Sequence, residues 1–149
     1  RLVSDWSSDV CSSDLTIVLD AAHNPHGAEA TAAALEDSFT LDPLIGVIGV
    51  MGDKDAEGLL AAFEPHLAHV VVTENSTDRA LPAVELARVA VEVYGEDRVT
   101  VEPRLADAID VAAGLAESGG SSSIGSGGVL ITGSVVTVGE ARAMLRRRS

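Results

Sequence analysis

The chain has 149 residues, a formal net charge of −13 and 46% hydrophobic residues, which suits a single domain with an aliphatic core. So acidic a surface does not favour nucleic acid or an anionic membrane as partner. No apolar run approaches the ~20 residues that a bilayer-spanning helix needs, and no secretory signal is visible. In chain order, the apolar run Thr16 to Leu19 is expected as a first strand, followed by a helix from Pro25 to about Phe39 with Asn24 as N-cap and Pro25 at N1. Leu44 to Met51 reads as the second strand, and Asp55 to His66 as a helix with Leu59, Leu60 and Phe63 on one face. His69 to Thr73 is the third strand. Leu81 to Tyr94 carries Val84, Leu86, Ala87, Ala90 and Val91 at helical spacing, with Gly95 at the expected C-cap. Val99 to Glu102 is a short fourth strand, Leu105 to Glu117 a helix, Val129 to Thr132 the fifth strand and Val136 to Arg147 the last helix. This alternation predicts an α/β fold with a doubly wound, mostly parallel sheet of five to six strands and helices on both faces. One stretch breaks the rhythm. Residues 118–128 are almost entirely Gly and Ser and are expected to form a flexible loop. A phosphate cradle is the alternative, but the stretch precedes a strand and lacks the Gly-Lys-Ser/Thr ending.

In such a sheet ligands bind beyond the carboxyl ends of the strands. The polar residues expected there are Asp20 and His23, Asp53 and Lys54, Thr73 to Arg79, and Thr132 to Ser134. Each has a plain reading beside a functional one. Asp20 can cap a helix or accept ribose hydroxyls, and His23 can lie idle on the surface. Lys54 stands between two acids, where it makes a solvated ion pair or meets a substrate carboxylate. Ser134 can be an N-cap, an anion contact at a helix start, or both. No metal site is assigned to this chain, because His23 and His26 stand only three apart at a helix start and pair poorly with Asp53 and Asp55.

Leu19-Asp20-Ala21-Ala22-His23-Asn24-Pro25 resembles the Leu-Asp-Gly-Ala-His-Asn-Pro signature that opens the C-terminal domain of folylpolyglutamate synthase/dihydrofolate synthases, in the Mur ligase superfamily. Gly49-Val50-Met51-Gly52-Asp53-Lys54-Asp55 agrees with that family in order and spacing, as does Val129-Leu130-Ile131-Thr132-Gly133-Ser134 followed by Val138-Gly139-Glu140-Ala141-Arg142. Together they cover roughly residues 16 to 146, with Ala21 in place of the usual Gly and Asp78 in place of a Pro before Arg79. The resemblance implies a Rossmann-like Mur ligase C-terminal domain, part of a ligase that adds L-glutamate to dihydropteroate or folate through an acyl phosphate. In that setting Asp20 would bind nucleotide, His23 would be catalytic and contact glutamate, and Lys54, Ser134 and Arg79 would complete the glutamate pocket. ATP and Mg²⁺ are the implied cofactors, held mainly by an N-terminal P-loop domain that this sequence lacks. The implied full-length enzyme is a cytoplasmic monomer, and the chain alone would be inactive. Alternatives are another Mur-type amino-acid ligase, of peptidoglycan or polyglutamate synthesis, and a receiver-like signalling module. The latter wants acids beside Asp20 and after strand three and a Lys after strand five, where Ala21, Glu74 and Ser134 stand.

Residues 1–15 read differently. Asp5 to Leu15 matches, codon for codon, the translation of a common sequencing-library adapter, so 1–15 is expected to be a non-native leader and 16–149 the domain proper. Cys11 and Trp6, the only residues of their kinds, fall in that leader, which removes disulfide, thiol-catalysis and Cys-ligated zinc readings. Without Arg1, Asp5, Asp9 and Asp14 the net charge is −11.

Overall fold

The computed structural model describes residues 2–6, 15–21, 25–38, 41–52, 55–118 and 126–148. Strands and helices alternate through them as β1 (Leu2–Trp6), β2 (Leu15–Leu19), α1 (Pro25–Ser38), β3 (Leu41–Ile48), α2 (Ala56–Phe63), β4 (His69–Glu74), α3 (Ala83–Tyr94), β5 (Val99–Arg104), α4 (Leu105–Ser118), β6 (Ser126–Thr132) and α5 (Val135–Arg148). The sheet order is β1-β2-β6-β3-β4-β5, parallel from β2 to β5 across the sheet and antiparallel only at β1. The last strand in sequence is therefore an inner strand in space.

Right-handed crossovers decide which face each helix covers. Steps from β2 to β3, β4 and β5 run in one direction across the sheet, so α1, α2 and α3 share a face; the return from β5 to β6 puts α4 on the other, joined by α5. Strand residues alternate between the two cores. Leu44, Ile48, Val70, Val72 and Leu130 pack with Leu59, Leu60, Phe63 and Leu86. On the opposite face Ile45, Val47, Val71, Val129 and Ile131 pack with Ile109, Ala112, Ala141 and Leu145. Because both faces are covered, the inner strands read as continuous apolar runs.

Several boundaries differ from those read in the sequence, each for a tertiary reason. Strand β3 begins at Leu41, with a register shift against β6 between Leu41 and Leu44 that takes up Pro43. Helix α2 ends at Phe63 and passes into a 3-10 turn, Glu64–His66, at Pro65. Helix α3 begins at Ala83 and not at Leu81, because Met51 bridges Ala80 and the Leu81 N–H donates to the Val50 carbonyl. Strand β6 extends back to Ser126, into the expected Gly/Ser loop, because it is paired on both sides, by Thr16 and Leu44 at Gly128 and by Leu41 at Ser126. The rest of that loop, 119–125, lies outside the described residues. Within residues 1–15, expected from the sequence to be a leader, β1 lies along β2 with Leu2 opposite Leu19 and Trp6 opposite Leu15. Main-chain groups on an open strand edge accept almost any extended segment, so this pairing is indifferent to where the segment came from.

At the amino edge of the sheet, the Arg98 guanidinium donates to Glu64 Oε2 at 2.8 Å and to the carbonyls of Glu64, Leu67 and Ala68, while its carbon lies 4.9 Å from the Tyr94 ring centroid. Beside it, His69 Nε2 lies 2.7 Å from Thr100 Oγ1, and burial, with the Arg98 charge second, holds the imidazole below its ordinary pKa. A depressed histidine binds its proton more readily in the unfolded chain. Stability should therefore be fully present above about pH 6.5, the unperturbed His value, and fall as the pH drops below it. Urea midpoints measured from pH 7.5 to 5 should show this slope, and His69→Gln should flatten it.

Candidate functional site

The register of three neighbouring strands brings the motif segments to one level. Leu19 of β2 lies opposite Ile131 of β6, which lies opposite Val47 of β3. Just beyond, the Asp20 N–H donates to the Ile131 carbonyl at 3.1 Å and the Gly49 N–H to the Thr132 carbonyl at 3.2 Å. Asp20, Gly49 and Gly133 thus leave β2, β3 and β6 side by side.

Between β6 and α5 the chain turns at Gly133, whose φ is +115°, a conformation that side-chain-bearing residues rarely adopt. Ser134 follows as the N-cap of α5, its Oγ accepting from Val136 N at 2.9 Å and Thr137 N at 3.3 Å. It is 2% exposed, and the cap engages its acceptor capacity, not its proton. Helix α5 then presents its positive end to the same edge, with Val135 exposed next to it.

The segment after β4 is tied into this edge by polar side chains. Asn75 is buried; its Nδ2 donates to Thr137 Oγ1 at 3.1 Å, and its Oδ1 accepts from Thr77 N at 3.1 Å and Thr77 Oγ1 at 2.7 Å. Thr137, fully buried, passes its own hydroxyl proton to the Gly49 carbonyl at 2.8 Å. One turn further along α5, Glu140 accepts from the Ser76 N–H at 3.2 Å and from the Ser76 hydroxyl. The Gly52 N–H donates to the Arg79 carbonyl at 2.8 Å, which sets the Arg79 turn against the loop after β3.

Of the residues expected from the sequence, Asp20 is half-buried at the end of β2, Ser134 is buried at the start of α5, and Arg79 is exposed on its turn. His23 and Lys54 lie outside the described residues. Asp55 is the N-cap of α2, accepting from Gly58 N at 2.9 Å, and among the described residues no three His, Cys, Asp or Glu side chains gather as a metal centre would require. Sequence reasoning passed over Thr137; the only signal was a hydroxyl amid the valines of Val135-Val136-Thr137-Val138, at a position that faces the sheet edge. Next to the site, a cavity of about 290 Å³ opens between the ends of β4 and β5 and the middle of α5, walled by Glu74, Pro103, Arg104, Glu140 and Met144 among others.

Comparison with known proteins agrees with this fold. The chain matches the Mur ligase, glutamate ligase domain, over residues 8–135. It is 46% identical over 138 residues to the dihydrofolate synthase/folylpolyglutamate synthase of Mycobacterium tuberculosis, a match that covers 89% of this chain and 28% of that protein. A probable bifunctional folylpolyglutamate synthase/dihydropteroate synthase of Halobacterium salinarum is 37% identical over 139 residues, 93% of this chain and 16% of that one. Folylpolyglutamate synthase of M. tuberculosis, solved in complex with ADP and AMPPCP, superposes with a TM-score of 0.83 at 48% identity, covering 87% of this chain and 29% of that chain. The Thermotoga maritima folylpolyglutamate synthase does so with a TM-score of 0.73 at 29% identity, over 90% of this chain and 28% of that one. This chain therefore spans less than a third of the length of each of these relatives.

Proposed function

The chain belongs to the Mur ligase glutamate ligase domain family, and from that premise we propose that it is the glutamate-binding, nucleotide-closing C-terminal domain of an ATP-dependent folylpolyglutamate/dihydrofolate synthase. The observation that carries this reading is the common level at which Asp20, Gly49 and Gly133, one from each of three separate motifs, leave three adjacent strands. In the reaction a pteroate or folyl-glutamate carboxylate takes the γ-phosphoryl group of ATP, releasing ADP. The amine of L-glutamate then attacks the acyl carbon, forming the amide and releasing phosphate.

The chain carries no Gly-Lys-Ser/Thr phosphate loop, so a separate P-loop domain holds the triphosphate and Mg²⁺, and this domain completes the site from the other side. Mg²⁺ supplies charge neutralisation of the phosphates there. The half-buried Asp20 fits a ribose, since an ionised carboxylate accepts two hydroxyl hydrogen bonds. Incoming glutamate is doubly anionic, which suits the positive end of α5 at Ser134 and the cations of Lys54 and Arg79. The motif resemblance alone assigns His23 to the reacting centre. Closure of the two domains excludes the water that would hydrolyse the acyl phosphate. The complete enzyme acts as a monomer in the cytoplasm.

Kinetics of the complete enzyme test these roles. Glutamate-dependent phosphate release should be present in it and absent from the isolated chain. Asp20→Ala should mainly raise the KM for ATP. Ser134→Ala should raise the KM for glutamate and, as a lost N-cap, also cost about 1 kcal/mol of stability. The stability loss with an unchanged glutamate KM would remove Ser134 from the pocket and leave it a cap.

A further inference from the structure

The most constrained polar group at the carboxyl edge is one that touches none of the proposed substrates. We propose that Asn75 and Thr137 form a proton-donor relay, Asn75 Nδ2 to Thr137 Oγ1 to Gly49 O, that positions the three substrate-binding loops relative to one another. The inference rests on the ligase reading for its kinetic consequence and on geometry alone for its structural one.

Three features give the relay a direction and a purpose. An amide nitrogen only donates, so Thr137 Oγ1 must accept from Asn75 and spend its single proton on the Gly49 carbonyl. The Gly49 carbonyl can only accept, and reversing the Asn75–Thr137 bond would need a carboxamide flip that sets Nδ2 against the Thr77 N–H. Both side chains are buried, Asn75 at 4% and Thr137 at 0% exposure, so water cannot take the place of a missing partner.

Each station of the relay belongs to a different loop. Asn75 opens the turn that carries Arg79, and its Nδ2 also points at Met51 Sδ, 3.6 Å away, just before Gly52-Asp53-Lys54. Thr137 lies in the first turn of α5, whose N–H the Ser134 cap receives. Gly49 is the residue across which the Gly133 turn packs, so the carbonyl held by Thr137 is the one that sets the separation of β3 and β6 at this edge. Arg79, Gly52 and Ser134 are thereby referenced to a single pair of side chains. Asn75 and Thr137 are positioning residues, since neither would touch substrate.

Thr137→Val removes the hydroxyl at nearly constant shape, and Thr137→Ser keeps it. In the complete enzyme Thr137→Val should lower kcat/KM for glutamate by about tenfold to a hundredfold, as expected when reacting groups are displaced by up to an ångström; Thr137→Ser should recover most of it. Arg98→Ala, at the opposite edge of the sheet, serves as the stability control. If Thr137→Val loses no more activity than Arg98→Ala at matched loss of melting temperature, the hydroxyl is merely structural and the proposal is overturned. In the 149-residue chain, amide resonances of Gly52, Arg79 and Val136 should move together in Thr137→Val and return in Thr137→Ser. Unmoved resonances would overturn the relay whatever the enzyme does. Should Thr137→Val not fold, Asn75→Asp, which keeps the acceptor for Thr77 and removes the donor, is read by the same two measurements. Absence of glutamate-dependent turnover in the unsubstituted enzyme would instead overturn the ligase reading and the kinetic role with it, while the resonances still decide the relay.

Discussion

Gly133→Ala should lower the melting temperature by about 10 °C, because a methyl group at this position has nowhere to go. A Cβ built there would lie 2.4 Å from the Gly49 carbonyl oxygen, 3.0 Å from its carbon and 3.1 Å from its nitrogen, with φ at +115°. Backbone strain of this kind costs about 1–3 kcal/mol and forced overpacking a similar amount. The obstructing atoms are backbone and cannot swing away. Gly49 is held on both sides, its N–H by Thr132 and its carbonyl by Thr137, so any retreat breaks those hydrogen bonds too. A total of about 3 kcal/mol or more corresponds to roughly 6–12 °C in a domain of this size. Calorimetry of Gly114→Ala and Gly139→Ala provides the contrast. Both glycines are helical and a Cβ at either meets nothing within 4 Å, so these changes should be neutral or stabilise by up to about 1 kcal/mol. A Gly133→Ala variant as stable as those two would mean that the turn between β6 and α5 is not packed on β3.

Arg98→Ala should destabilise the chain by about 2–3 kcal/mol, and most of that loss should come from carbonyls and not from the ion pair. The Arg98 and Glu64 side chains are 31% and 37% exposed, so solvent screens their attraction and the pair itself is worth about 1 kcal/mol at most. The larger part is the guanidinium fork. It satisfies the carbonyls of Glu64, Leu67 and Ala68 where the chain leaves the 3-10 turn for β4, and Leu67 is buried there. Stacking over Tyr94, whose hydroxyl donates to the Leu60 carbonyl at 2.9 Å, joins the end of α3 to the same knot. Burial pushes the Tyr94 phenol above its ordinary pKa, so it stays a neutral donor throughout the physiological range. Arg98→Lys should recover only a minor part, because an ammonium cannot reach three carbonyls and lie flat on a ring at once. Urea unfolding of both variants, with Glu64→Gln alongside, separates the contributions. A Glu64→Gln loss equal to that of Arg98→Ala would show the ion pair to be the larger part after all.

Local pattern names the strands and helices in kind. Apolar runs such as Val70-Val71-Val72 and the helical spacing of Leu86, Ala87 and Ala90 name their elements, because strand and helix periods are written in neighbouring residues. The three motif segments were likewise placed at strand ends by local pattern alone, and Asp20 and Ser134 stand where that pattern put them. Local pattern failed where a distant partner outweighs it. Gly128 has poor strand propensity, yet β6 includes it because β2 and β3 supply partners on both sides, Thr16 and Leu44. Leu81 fits a helical stripe but pairs with Val50. The candidate site divides in the same way. Which residue types crowd the carboxyl edge follows from the sequence, since every parallel strand must end there. That β6 inserts between β2 and β3, so that Asp20, Gly49 and Gly133 become neighbours, depends on strand pairings that span 112 positions from Leu19 to Ile131 and 84 from Val47 to Ile131. The Asn75–Thr137 contact spans 62 positions, and that of Thr137 with Gly49 spans 88. No periodicity reaches so far, and only the assembled sheet brings those donors to their acceptors.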